Sequence, residues 1–208
     1  MSEQFAWPKK GNKAFVSGAE GSAFHLSSHY SSYSQKAEAF KIAAVMVIDQ
    51  CQDADWQSYR DELFFPVAYL YRHCLELRMK DIISTGVGMH FFNRNDVSDA
   101  MEGHNLAKLW NHAKKLLIDR WPSADQTPLR AVEAVVNECH QADPNGQVFR
   151  YDTDKHGRRH RHETLPEDIS LAELRKTMDG VFNFLDATAS ELQDNLSDMI
   201  ATMREYRD

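Results

Sequence analysis

Seven side chains between Lys155 and His162 are basic (Lys155, His156, Arg158, Arg159, His160, Arg161 and His162), and no carboxylate interrupts them. Just ahead stands the run Phe149-Arg150-Tyr151. Guanidinium groups match anionic oxygens two at a time and stay charged, so this stretch is where an anion would bind or chemistry would occur. Tyr151, Lys155, Arg158, Arg159 and Arg161 are its candidate anion-binding residues. A plainly solvated, flexible loop is the competing expectation. The three imidazoles of His156, His160 and His162 sit amid four cations, which makes a poor metal site. No metal and no cofactor is expected.

The chain around this stretch is acidic, with a formal net charge of −7 over 208 residues. That balance argues against indiscriminate nucleic-acid binding over the whole surface, and it makes a local basic patch more informative. A hydrophobic share of 42% and a charged share of 26% are ordinary for a globular protein able to bury a core. Cys51, Cys74 and Cys139 are odd in number and lie in apolar helical patterns, so buried reduced thiols are expected. No leader and no run of 18 apolar residues is evident, so the expected location is the cytoplasm, without a membrane span.

The elements that must position the basic stretch read as helices throughout. The expected fold is all-α, an antiparallel bundle of about five helices with a long C-terminal helix. Residues 1–34 are Gly- and Ser-rich with scattered aromatics (Phe5, Trp7, Phe15, Phe24, Tyr30 and Tyr33), a tail either flexible or wrapped over the core, and a possible docking segment for a protein partner. His25 and His29 lie four apart in a segment that does not favour the helix a metal pair would need. A helix is predicted from about Gln35 to Gln50 with Ser34 as its cap, and another reaches about Ser84, with Pro66 at a kink or a first turn. Residues 85–103, with Gly86 and Gly88, read as a long loop. Further helices are predicted from His104 to Arg120, from a Thr127 cap to Asp143, and from Ser170 almost to the end. The last is long enough that it either breaks near Gly180 or Ser190 or packs its distal part, 191–208, on a partner subunit; the partner is favoured.

The second helix is apolar on most of its circumference, which marks it as central. Tyr69, Arg72, His73, Glu76 and Lys80 recur at helical spacing as a narrow polar strip along it. Charges there must be paired or open onto a cleft. Two arrangements satisfy that need: an internal Arg72–Glu76 pair, or a strip that faces the Arg150 segment.

Three stretches taken together resemble a known family. They are Phe65-Pro-Val-Ala-Tyr-Leu-Tyr71-Arg72-His73-Cys-Leu-Glu76-Leu, the helix opening Gly103-His104-Asn105-Leu-Ala-Lys-Leu109-Trp, and Phe149-Arg150-Tyr151 ahead of a last helix. Over residues 35–190 the chain resembles the HEPN domains, the "higher eukaryotes and prokaryotes nucleotide-binding" helical domains. The resemblance implies a bundle that commonly forms homodimers, found in toxin–antitoxin and antiviral defence systems. In many members it implies metal-independent ribonuclease activity from an Arg followed, four to six residues on, by a His. Here five residues separate Arg150 from His156. The resemblance would make His156 the group that moves a proton at the ribose 2′-OH or the leaving oxygen, and Arg150 the stabiliser of charge on the phosphoryl group. His104 resembles the histidine that opens the family's third helix, with capping and packing as its other possible roles. The chain departs from the pattern at Tyr151, where active members usually carry a small polar residue. It departs again at Gly157 and Leu165-Pro166, which put the motif on a loop. A helical module that binds RNA or a nucleotide, or interacts with a protein, without catalysis is the alternative.

Overall fold

Six α-helices stand among the described residues of a computed structural model: α1 (Tyr33–Cys51), α2 (Arg60–Gly88), α3 (Arg94–Glu102), α4 (Leu106–Arg120), α5 (Thr127–Ala142) and α6 (Leu171–Glu205). The structure describes residues 7, 9–18, 32–52, 59–160 and 164–206. The chain divides into two units, Met1–Ser31 and Ser32–Asp208. In the first, Trp7 and Phe15 are exposed rings. The expectations for Phe5, Phe24, Tyr30, His25 and His29 lie outside the described residues, as do those for Arg161 and His162.

All six helices belong to the second unit, an all-α bundle as the sequence predicts. Ser32, not Ser34, caps α1, accepting from the Gln35 amide at 3.2 Å. Ser34 accepts instead from Arg78 of α2 at 2.8 Å. Arg60 donates to the Cys51 carbonyl and Cys74 to the Ala37 carbonyl. Those pairs count in opposite directions along the two helices, so α1 and α2 are antiparallel. The pairs Glu76–His104 and Gly86–Leu116 increase together, so α2 runs parallel to α4. The same holds for α2 and α6, from Tyr71–Phe182 and Gly88–Leu196.

Helix α2 is the axis, packing against α1, α3, α4 and α6. Val67, Tyr71, Leu75, Met79, Ile82 and Ile83 are all buried on it. Pro66 lies inside the helix. It removes one backbone donor, and it does so at an exposed position near the N-terminal end, where the carbonyl left unpaired can meet water.

The stretch read as a loop over 85–103 is mostly helical. Two physical reasons account for the correction. Gly86 serves packing within the helix and does not break it: a Cβ there would stand 2.9 Å from a Leu116 methyl and 3.0 Å from the Phe92 ring, so the missing side chain lets α4 approach. Beyond it α2 closes with His90 at φ 57, the His90 amide on Val87 and the Phe91 amide on Gly86, a left-handed stop made without glycine. The short α3 buries only Val97 and Ala100, too few positions to announce a period.

Helix α6 is unbroken at Gly180 and Ser190. Ser170 caps it through the Glu173 amide at 3.3 Å. Arg78 holds Asp186 at 2.7 Å while Lys41 holds the same carboxylate at 3.1 Å, a network that ties α1 and α2 to α6. Leu192 is its last fully buried residue, and Ile200, Met203 and Tyr206 are exposed. Among the described residues, no helix is long and apolar enough to cross a membrane.

Candidate functional site

The polar strip of α2 meets the turn that leaves α5. Arg72 is only 2% exposed, so its charge has to be answered inside the protein. Its Nε donates to the Asp143 carbonyl at 2.9 Å, with the Asp143 carboxylate 3.3 Å away. One terminal nitrogen reaches Glu76 at 3.2 Å and the other the His104 carbonyl at 2.6 Å. Glu76 also accepts from Lys80 at 2.9 Å, and the His104 Nδ1 lies 2.9 Å from the same oxygen. Two buried cations thus face two buried carboxylates. Burial alone would push the Glu76 carboxyl up; the hydrogen bonds from Lys80 and His104 outweigh it and hold the group below its ordinary range. Both arrangements weighed from the sequence hold at once: Arg72 pairs with Glu76, and the strip faces the segment that carries Arg150.

In the sequence Asp143 stands only where the helix predicted from Thr127 ends. Its second oxygen accepts the amides of Gln147 at 2.7 Å and Val148 at 3.1 Å, which folds the chain back over α2. A buried arginine with one helical carboxylate partner and a second cation four residues on was the signal that another anion was needed. Gly146 completes the turn at φ +72, and a Cβ on it would stand 3.0 Å from an Arg72 nitrogen.

That turn delivers Arg150. Its Nε donates to the Gly146 carbonyl at 2.7 Å, and its guanidinium lies 5.1 Å from the centre of the Tyr69 ring and 5.3 Å from that of Tyr151. Tyr69 in turn stacks on His73 at 5.7 Å, and Phe40 meets His73 edge-on at 4.5 Å. Burial, the largest influence, pushes the His73 imidazole below its ordinary range. Stacking and one hydrogen bond fix the Arg150 plane, and its two terminal nitrogens have no partner among the described residues.

The basic stretch beyond is a small hairpin. Thr153 bridges to Arg159, and the His160 amide donates to the Asp152 carbonyl at 2.9 Å. Asp154 organises the tip: its carboxylate accepts the amides of His156 at 2.8 Å and Arg158 at 3.0 Å, and the Arg158 Nε at 2.8 Å. The Arg158 side chain is the chief reason that the Asp154 carboxyl is pulled down to about 2. Gly157, at φ +76, supplies the left-handed residue that the tip needs.

The hairpin sorts the candidates. Arg150, Tyr151, Arg159 and His160 line one cavity of about 500 Å³ together with Phe65, Val148, Phe149 and Asp152. Arg158 is occupied by Asp154. Lys155 and His156 stand exposed at the tip, and His156 is not among the residues that line the cavity. The histidine that shares the cavity with Arg150 is therefore His160, whose Nε2 is buried without a hydrogen-bond partner among the described residues. Among the described residues no cluster of His, Cys, Asp and Glu could hold a metal ion. No family model matches the chain, and neither a curated protein nor a solved structure matches it.

Proposed function

We propose that this protein is a HEPN-like helical bundle that binds single-stranded RNA or nucleotide phosphates at the cavity lined by Arg150, Tyr151, Arg159 and His160. One observation carries the reading. The Arg150 guanidinium is stacked on Tyr69 and Tyr151, fixed at Nε by Gly146, and left with a terminal N–H pair for a ligand, within a cavity that Arg159 also lines. Such a pair fits two oxygens of a phosphate. Among the described residues neither Arg150 nor Arg159 forms an ion pair, and Asp152 is the one carboxylate on the wall. Tyr151 is 55% exposed, which offers a face for a base. A base stacked on an aromatic side chain contributes about 1–3 kcal/mol and needs no particular sequence.

Cleavage by Arg150 with His156 is less favoured, because the hairpin carries His156 to its tip. A homodimer joined along the distal part of α6 belongs to the same proposal, since Ile200, Met203 and Tyr206 are exposed there. Light scattering should then give a mass twice 23.9 kDa.

Fluorescence anisotropy with a labelled single-stranded oligoribonucleotide, in EDTA and over a salt series, tests the binding. Two phosphate contacts predict a slope of log affinity against log salt of about −1.4, and Arg150→Ala or Arg159→Ala should each remove about 0.7 of it. A slope near zero, or one unchanged in both variants, overturns the proposal. RNA cleavage lost in His156→Ala and in Arg150→Ala alike would restore the ribonuclease reading.

A further inference from the structure

A second cavity, of about 290 Å³, lies between α2, α5 and the start of α6. Its floor is apolar: Ala68, Val135, Cys139, Ala142, Leu174 and Met178. The polar groups in that floor carry no free charge. The Cys139 thiol and the Tyr71 hydroxyl are both pushed up to about 12 by burial and stay protonated. Arg72, which also lines the cavity, spends its Nε and both terminal nitrogens on Asp143, Glu76 and His104. The rim is different. Glu138, Asp168 and Glu173 stand there exposed; among the described residues only Glu173 has an ion-pair partner, the solvent-exposed Lys176 at 3.6 Å.

We propose that this cavity binds a small organic cation, an apolar ring system carrying a protonated amine, with the ring on the floor and the ammonium at the three carboxylates. Size sets the ring. A cavity of about 150 Å³ accepts benzene, so a space near twice that accommodates two fused rings. The neutral floor and the acidic rim set the charge, because an anion would face three carboxylates with no free cation among the described residues to answer it. The start of α6, which also favours anions, already has its Glu173 amide capped by Ser170.

The probe is 1-naphthylmethylamine, titrated against the full-length protein by calorimetry and by the Met178 methyl signal in NMR, with 1-naphthalenemethanol and 1-naphthoate as controls. The amine should bind with a dissociation constant on the order of 0.1–1 mM and shift the Met178 methyl. The alcohol should bind more weakly, and the acid more weakly still. Replacing the rim as Glu138→Gln, Asp168→Asn and Glu173→Gln together, all surface changes that leave the core intact, should weaken the amine about tenfold and leave the alcohol unchanged. Ala142→Phe, which fills the floor, should abolish binding of both. Equal binding of acid and amine, indifference to the rim changes, or no Met178 shift at millimolar amine would each overturn the proposal.

Discussion

Arg72 and Asp143 stand 71 residues apart and meet twice, through the Arg72 Nε on the Asp143 carbonyl at 2.9 Å and beside its carboxylate at 3.3 Å. This contact fastens the turn that carries Arg150 to the central helix. Its loss leaves the Asp143 carboxylate buried without a cation and Glu76 with Lys80 alone. Arg72→Met should therefore cost about 3–5 kcal/mol in chemical denaturation. The exposed Lys108–Asp99 pair, although shorter at 2.6 Å, should cost far less when Lys108 is replaced, because water screens it. Similar losses from the two variants would show that burial does not set the strength of the Arg72 node.

Gly146 tests the same joint from the other side. An alanine there meets two obstacles, a left-handed backbone at φ +72 and an Arg72 nitrogen 3.0 Å from the new methyl. The backbone alone costs about 1–2 kcal/mol. Gly146→Ala should lower stability by at least that amount. It should also weaken RNA binding, because the Arg150 Nε bonds to the carbonyl of this residue. A stable Gly146→Ala protein with unchanged RNA affinity would separate the joint from the site.

The all-α class, the buried run on α2 and the basic stretch were legible because each rests on local spacing. Three residues were not, and the first two depend on a partner far along the chain. Gly86 reads as a breaker until Leu116 is known to lie against it. Asp143 reads as a turn residue until Arg72 is seen to need a counter-ion. His156 has the spacing from Arg150 that the family resemblance asks for, yet a hairpin folded around Asp154 puts His160 at the cavity instead. Spacing along the chain specifies a helix face well. Across a reversing loop it specifies little, because one left-handed glycine redirects every later side chain.

The two glycines buried and exposed on long helices should respond oppositely to alanine. At Gly86 the added methyl lies 2.9 Å from Leu116, and overpacking of about 1–3 kcal/mol exceeds the gain of about 1 kcal/mol from helix propensity. At Gly180 nothing stands within 4 Å of the new methyl, so only the gain remains. Thermal unfolding should show Gly86→Ala less stable and Gly180→Ala more stable than the parent. Destabilisation at both sites would mean that α6 bends or packs at Gly180.

His73 gives the protein a pH dependence whose sign follows from its surroundings. Burial, the largest influence, holds the imidazole below its ordinary value of 6.5; Glu76 acts in the other direction, and Lys80, Arg72 and His104 add to the lowering. The unfolded chain therefore takes up this proton first, and stability falls as pH drops below 6.5 toward the folded-state value. His73→Phe, which keeps the ring against Phe40 and Tyr69, should lose less stability than the parent between pH 7.5 and pH 5.5. Identical losses in the two proteins would place the effect on other histidines.

Asp154 separates a contact from the scaffold that aims it. Its carboxylate fastens the hairpin through Arg158 and two amides, and the Asp154 carboxyl, held at about 2 chiefly by Arg158, keeps that role at all pH values above its ordinary 3.8 and loses it only as pH falls toward 2. Asp154→Ala has two opposing effects on RNA binding. It frees Arg158 to contact phosphate, and it loosens Arg159, which must then be ordered by the ligand at a cost of about 0.5–1.5 kcal/mol. The first raises the salt slope by about 0.7, and the second lowers affinity about two- to tenfold without touching the slope. Ordering should dominate near physiological salt, where screening weakens a new exposed contact. Asp154→Ala should therefore bind more weakly with a slope no smaller than that of the parent, whereas Arg159→Ala should lose affinity and slope together. Parallel losses of slope in both variants would mean that Asp154 acts on charge and not on the aim of Arg159.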